Sequence, residues 1–294
     1  MPDKSFILAH DLGTTGNKAT LFAADGAVVA STFAAYPTDY PRPAWAEQNP
    51  DHWREAIFGC TRQLLARSGV PPAQIAAVSF SGHMQGALVV SADGVPLRPA
   101  IIWADQRATE QAETIARLYG REAVYRLTGN RVSPAYTSAK LLWIKEHQPD
   151  IFRRVHRVLQ PKDYAAFLLT GVFATDYSDA SLAQLLDLES RSWAVDFLQD
   201  IGLPATILPD LHAAADVIGR VTPSAAAATG LQAGTPVVIG GGDGACATVG
   251  AGSVRHGDVY NYIGSSSWLA LSADRPVLDP EQRTFNFCHL DPAL

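Results

Sequence analysis

Apolar residues in this chain fall into short runs and helical stripes, and their succession predicts the architecture. Residues 6–12 form an apolar run of strand length, closed by a small polar turn at 13–16. Residues 17–22 read as a second strand. The Asp25-Gly26 turn then reverses the chain into a third, 27–31. A proline-rich loop over 36–50, carrying Trp45, Glu47 and Gln48, leads into a helix from Pro50 to about Ser68. On it Trp53, Ile57, Cys60, Leu64 and Leu65 keep helical spacing. Residues 75–80 read as a short buried strand ending in Ser81-Gly82-His83-Met84-Gln85-Gly86, and 87–91 as another, closed by Asp93-Gly94.

Further along, a polar helix is predicted after Asp105-Gln106-Arg107 to about Tyr119, and helices over 138–147 and 164–169. The segment 176–187, rich in Ser, Asp and Ala, reads as a crevice or loop–helix junction. Residues 236–239 form a buried strand and 244–252 a small-residue helix able to pack closely. Strands over 259–263 and 268–272, around Gly264-Ser265-Ser266-Ser267, repeat the strand–turn–strand plan of residues 6–22.

The bulk properties narrow the class. The chain has 294 residues, enough for a large core and two domains. With 47% hydrophobic and 18% charged residues it is globular rather than disordered. A formal net charge of -6 argues against nucleic acid as a partner. No run reaches the ~18 apolar residues that span a bilayer. His10 and Asp11 interrupt the first apolar run, so no signal peptide is expected. Cys60, Cys246 and Cys288 are scattered without a CxxC pair. They are expected to be small buried residues rather than a zinc site or disulfide framework, which fits a cytoplasmic location.

The candidate chemistry lies in two glycine-flanked acidic motifs, Asp11-Leu12-Gly13-Thr14-Thr15-Gly16 and Gly240-Gly241-Gly242-Asp243-Gly244, each directly after a predicted buried strand. Glycine lets backbone N–H groups approach a phosphate closely, and a nearby carboxylate can hold a metal ion or accept a proton. The first motif runs into a hairpin rather than a helix, and no GxxxxGK[ST] is present, so this is not a P-loop.

Together with Ser81 to Gly86, Trp103-Ala104-Asp105-Gln106-Arg107, Ser138-Ala139-Lys140-Leu141-Leu142-Trp143, Pro161-Lys162-Asp163-Tyr164 and Thr175-Asp176-Tyr177-Ser178-Asp179-Ala180, these motifs resemble the FGGY family of carbohydrate kinases, most closely its xylulokinase branch. The likeness covers essentially the whole chain in the family's order. It implies an α/β, ribonuclease H-like (actin-like ATPase) fold, a mixed sheet with flanking helices, and an active site between two such domains. Family members are longer, so residues 1–254 are expected to form an N-terminal sugar-binding domain and 255–294 the incomplete start of a nucleotide-binding one. On that basis ATP, Mg²⁺ and a small sugar are the expected ligands, and this fragment alone is expected to be inactive.

By resemblance, Asp243 is the general base and Asp11 the metal-associated carboxylate. The competing readings are an N-cap aspartate and an Asx-turn residue. Gly13, Thr14 and Thr15 would cradle phosphate, and Lys18 would either add a charge there or be a solvated strand lysine. Gly264, Ser265 and Ser266 resemble a second phosphate loop or are a plain hairpin turn. His83, Met84, Gln85 and Trp103 would line the sugar pocket, although His83 also reads as an ordinary hydrogen-bonded histidine. Asp105 would accept from sugar hydroxyls or pair with Arg107 on the surface. Two departures bear on the substrate. The branch usually carries Gln-Met-His-Gly where this chain has His83-Met84-Gln85-Gly86, and Asn where it has Gly244. A non-catalytic sugar-binding module, and a kinase of another polyol or sugar acid, remain alternatives. So does self-association through the 259–272 hairpin as a homodimer.

Overall fold

The computed structural model describes residues 5–263 and 267–292. Its centre is a mixed sheet in the order Val217–Arg220, Pro236–Val238, Ile75–Gly82, Phe6–Leu12, Gly16–Ala23, Val28–Ala35. The three N-terminal strands form an antiparallel meander. Phe6–Leu12 and Ile75–Gly82 run parallel, as do Ile75–Gly82 and both Pro236–Val238 and the short extension Gly241–Gly242. This is the mixed sheet with flanking helices that the sequence leads one to expect. The meander strands form where expected, but the third runs to Ala35. Its last residues stay paired because Thr32 sits opposite Ala19 and bonds Gln63 of the first helix.

One face of the sheet is covered by the helices Pro50–Ser68 and Pro161–Thr170. The first has Pro50 in its first turn, where a missing N–H costs nothing, and the Asn49 side chain accepts the Asp51 N–H at 3.0 Å. Gly69, at φ 65°, ends it in the left-handed cap. Trp53, Ile57, Cys60 and Leu64 bury one stripe against Leu8, Leu12 and Leu21. A second core packs around the helices Thr109–Tyr119 and Thr137–His147 with Phe197 and Leu198. Residues 137–144 are buried on every side of their helix, polar members included. The helix Arg121–Thr128 and the edge strand Val217–Arg220 have no counterpart in the sequence reading.

A fully buried ion cluster ties the two regions together. Lys162 Nζ contacts Asp163 at 2.6 Å, Asp176 at 2.9 Å and Asp179 at 3.1 Å. Burial opposes the lysine charge, but the three carboxylates outweigh it and push its pKa well above the ordinary range. Burial pushes the Asp179 carboxyl well above the usual carboxylate range, Lys162 opposes the rise, and Asp163 and Asp176 add repulsion to it.

The hairpin Val259–Ile263/Ser267–Leu271 pairs only with itself among the described residues. Its expected phosphate-loop residues Gly264, Ser265 and Ser266 lie outside the described residues. The chain then packs back onto small clusters outside both main cores: the Asn286 N–H donates to Gly129 O at 3.1 Å, the Cys288 N–H to Ser181 Oγ at 3.0 Å, and Phe287 packs beside Met84, Tyr136 and Leu182. Cys60 and Cys288 are buried and Cys246 half-buried, all as free thiols. Among the described residues no helix is long and apolar enough to cross a membrane.

Replacing Lys162 by Met would leave three carboxyls facing each other without their cation. We expect a loss of about 3–5 kcal/mol in stability, read by denaturant unfolding. A change below about 1 kcal/mol would show that the cluster is dispensable.

Candidate active site

Three parallel strands end together, and the candidate residues sit at those ends. Asp11 lies opposite Ser81, and Ser81 opposite Gly241. One step on, Leu12, Gly82 and Gly242 stand in line. With adjacent strands ~4.8 Å apart, the two acidic motifs are brought within about two strand spacings of each other. Ligands of open α/β sheets bind at such carboxyl ends.

Close packing explains the glycines of the second motif. Gly240 has φ 72°, and a Cβ there would stand 1.8 Å from the Phe80 carbonyl oxygen. A Cβ on Gly242 would collide with the Met84 thioether at 2.3 Å. The Gly242 N–H donates to Ser178 Oγ at 2.9 Å, and that hydroxyl donates to Asp176 Oδ2 at 2.6 Å. The buried Lys162 cluster therefore holds the residue immediately before Asp243.

Asp243 is the first residue of the helix Asp243–Gly250, and its Oδ1 accepts the Gly244 N–H at 2.8 Å. Asp243 is exposed at the surface, but protein atoms crowd its carboxyl from the remaining sides. Burial raises its pKa to about 6, the Gly244 N–H works against the rise, and Asp11 adds to it. A carboxylate so placed is ionised at neutral pH yet basic enough to take a proton from a hydroxyl.

The first motif is a closed turn. The Gly13 N–H donates to Gly16 O at 3.0 Å, so it is spent within the loop. Tyr36 and Gln48 donate to the carbonyls of Gly13 (2.6 Å) and Thr14 (2.7 Å). The N–H groups of Thr14 and Thr15 have no protein acceptor among the described residues, and Asp11 is exposed beside them. Lys18 lies directly across from Asp11 on the neighbouring strand, exposed on the same face.

His83, Met84 and Gln85 separate in their surroundings. His83 is buried, with Nε2 3.3 Å from Gln48 Oε1 and its ring edge-on to Trp53. Burial, and next the Lys140 charge, push its pKa down to about 3, so the imidazole is neutral. Met84 is buried against Gly242, whereas Gln85 is half-exposed with φ 63°. Trp103 is 45% exposed and its Nε1 donates to Thr14 Oγ1 at 2.9 Å, linking the expected sugar wall to the first loop.

Asp105 does not reach the cleft. It is fully buried, both oxygens contact Arg107 (2.7–3.0 Å), and Oδ2 also accepts the Ala46 N–H. Arg107 in turn pairs with Glu47 at 2.7 Å and stacks 3.7 Å over Trp45. Pairing with Arg107 is therefore what the structure shows, but inside the protein rather than on its surface. The reason is that Trp45 and Trp143 make a cage for the guanidinium that a surface pair would lack.

The sequence reading did not single out Gln48 or Ser178 as site residues. Gln48 takes hydrogen bonds from Trp53 and His83 and donates to Thr14 O, so it joins the two candidate loops. Its one signal was a neutral amide in an aromatic, proline-rich loop, which no spacing rule marks. Ser178 was legible only as part of a longer motif.

A model of the N-terminal domain of the FGGY family of carbohydrate kinases matches residues 6–250. The chain belongs to that family. A xylulose kinase of Bacillus subtilis is 37% identical over 284 residues, covering 97% of this chain and 57% of that protein. A gluconokinase of the same organism is 29% identical over 287 residues, covering 98% and 56%. The crystal structure of xylulose kinase from Rhodospirillum rubrum matches with a TM-score of 0.93 at 29% identity, covering 98% of this chain and 59% of that one. The fold is thus the actin-like fold of FGGY kinases, and the chain spans somewhat more than half the length of these relatives.

The raised Asp243 pKa has a sign that stability can test. Folding favours its protonated form, so the group's contribution is complete below the unfolded value near 3.8 and is lost as pH rises through about 6. Asp243→Asn should therefore melt higher than the parent at about pH 8, by on the order of 1 kcal/mol after allowing for solvent contact, and match it near pH 4. A variant less stable at both pH values would contradict the assignment.

Proposed function

We propose that this chain is the sugar-binding part of an ATP-dependent sugar kinase that phosphorylates a neutral pentulose such as xylulose. The observation that carries the reading is Asp243 at the shared strand ends, with its pKa raised to about 6 and Asp11 near enough to contribute to the rise. In the reaction the Asp243 carboxylate takes the proton of a sugar hydroxyl as that oxygen bonds to the γ-phosphorus and the bond to the ADP oxygen breaks. Thr14 and Thr15 would meet phosphate oxygens with their free N–H groups. Lys18 would add a positive charge beside them. Asp11 would hold Mg²⁺ directly or through water, and that ion would neutralise phosphate charge.

A neutral sugar is favoured over a sugar acid, because Asp11 and Asp243 make the floor of the cleft acidic. Gln85, Met84 and Trp103 are uncharged, and a sugar carboxylate would need a cation beside them. His83 supports the pocket from behind, so Gln85 is the polar member of this motif that reads hydroxyls. A binding module alone would have little use for a carboxylate held at about 6, which favours the kinase over that reading. Residues 255–294 are proposed to begin the nucleotide-binding domain, with Gly264, Ser265 and Ser266 as a second phosphate loop. The exposed apolar residues Ile263, Leu269 and Leu271 fit a hairpin that the rest of such a domain would cover. A cytoplasmic location follows from the need for ATP.

The test is ADP release by the longest coding product that contains this chain, with MgATP and a panel of pentuloses, polyols and gluconate. We expect turnover stimulated by a neutral pentulose, reduced by at least ~10³-fold in Asp243→Ala. In the parent, kcat/KM should fall as pH drops through about 6, because the base must be unprotonated. Turnover that survives Asp243→Ala would overturn the role of this residue. Stimulation by gluconate alone would overturn the neutral-sugar assignment.

A further inference from the structure

Among the described residues two lysines are fully buried, and they are held in opposite ways. Lys162 sits among three carboxylates. The Lys140 ammonium instead donates to two backbone carbonyls, Gln85 O at 2.8 Å and Ala135 O at 2.5 Å. A buried ammonium without a contacting carboxylate gives up its hydration for little electrostatic return. An apolar side chain would fill the space at lower cost, so packing alone does not account for it.

What the ammonium holds is a strained turn. Gln85 is in the left-handed region, which costs a non-glycine residue about 1 kcal/mol and persists only where the surroundings enforce it. The enforcement comes from three side chains. Lys140 binds the Gln85 carbonyl. Thr137, one helical turn before Lys140 and on the same face, donates to the Gly86 carbonyl at 2.8 Å. Gln160 accepts the Gly86 N–H at 2.8 Å and donates to its carbonyl at 3.0 Å. With the backbone so fixed, the Gln85 amide stays half-exposed and makes no hydrogen bond to protein among the described residues.

We propose that Lys140 is a positioning residue for sugar recognition: by clamping the Gln85 carbonyl to that of Ala135, it locks the turn that presents the Gln85 amide and Met84 to the sugar. This rests on the reading of the cleft as a sugar site. The clamp is also sensitive to pH. Burial lowers the Lys140 pKa to about 7, while Asp105 raises it and Arg107 lowers it. Those two groups are locked in their own ion pair, and His83, the third group that senses this charge, is neutral. Sugar affinity should therefore weaken as pH rises past about 7 and the charge on the clamp is lost. Asp243 titrates lower, near 6, so its effect falls in an earlier part of the profile.

The experiment is calorimetric titration of residues 1–294 with D-xylulose, and separately with D-gluconate, from about pH 6.5 to about pH 8.5 and well below the melting temperature. The proteins are the parent, Lys140→Met, and Lys140→Met combined with Gln85→Asn. Asparagine keeps the amide and tolerates the left-handed region better. The expected result is a parent affinity for D-xylulose that declines across this range. Lys140→Met should bind about tenfold more weakly with no pH dependence, and adding Gln85→Asn should recover part of the loss. A purely structural role would change the melting temperature and leave the affinity of the folded protein alone. Parent-like affinity in Lys140→Met, or a flat parent profile if that variant does not fold, overturns the proposal while the sugar site stands. No binding of either sugar by the parent overturns both.

Discussion

The arrangement of the cleft depends on one buried cation. Lys162 gathers Asp163 of its own helix with Asp176 and Asp179 of the strand and helix that follow, and its own backbone packs against Gly82 at the end of a central strand. From Asp176 the network continues through Ser178 to the Gly242 N–H, one residue before Asp243. Two of the three strand ends that carry the candidate chemistry are thus fixed by a single ionic cluster. Burying so much charge is justified less by stability than by position. A hydrophobic replacement of the whole set could pack as well, but it would not present a hydroxyl to Gly242 at a defined angle.

Electrostatics then divides labour across the floor. The protein packed around the partly solvent-facing Asp243 carboxyl raises it to about 6, a value suited to a base, and Asp11 adds to the rise from about two strand spacings away. Asp11 remains exposed, where an ion or water can reach it. Gln48 and Trp103 join the Thr14 loop to the sugar side by hydrogen bonds to its carbonyl and hydroxyl, so the two halves of the proposed site are not independent. Whatever displaces Trp103 or His83 is felt at Thr14 through one side chain.

The parts of the fold that were legible in the sequence are those with strong local signals. The strand Phe6–Leu12 and the helix Pro50–Ser68 have the bounds expected from an apolar run, a helix-start proline and helically spaced apolar residues. The helix Arg121–Thr128 was not read, because a single turn at Gly120 separates it from the helix before it and the two blur into one polar stretch. The strand Val217–Arg220 is an edge strand stabilised by pairing with Pro236–Val238, a long-range partner no local pattern announces. At the site, the two glycine-flanked aspartates were visible because small residues cluster around them. The fate of Asp105 was not, since its burial depends on Trp45 and Trp143, which are near Arg107 only in the folded chain. The same holds for the contrast between His83 and Gln85: two polar residues in one short motif, of which the fold buries one and leaves the other open.

The most direct test of this account is a crystal structure of residues 1–294 soaked with D-xylulose. It predicts the sugar over the ends of the three parallel strands, with one hydroxyl in hydrogen-bond contact with Asp243 and another with the Gln85 amide. A sugar bound elsewhere, or bound in the cleft with no hydroxyl reaching Asp243, would contradict it.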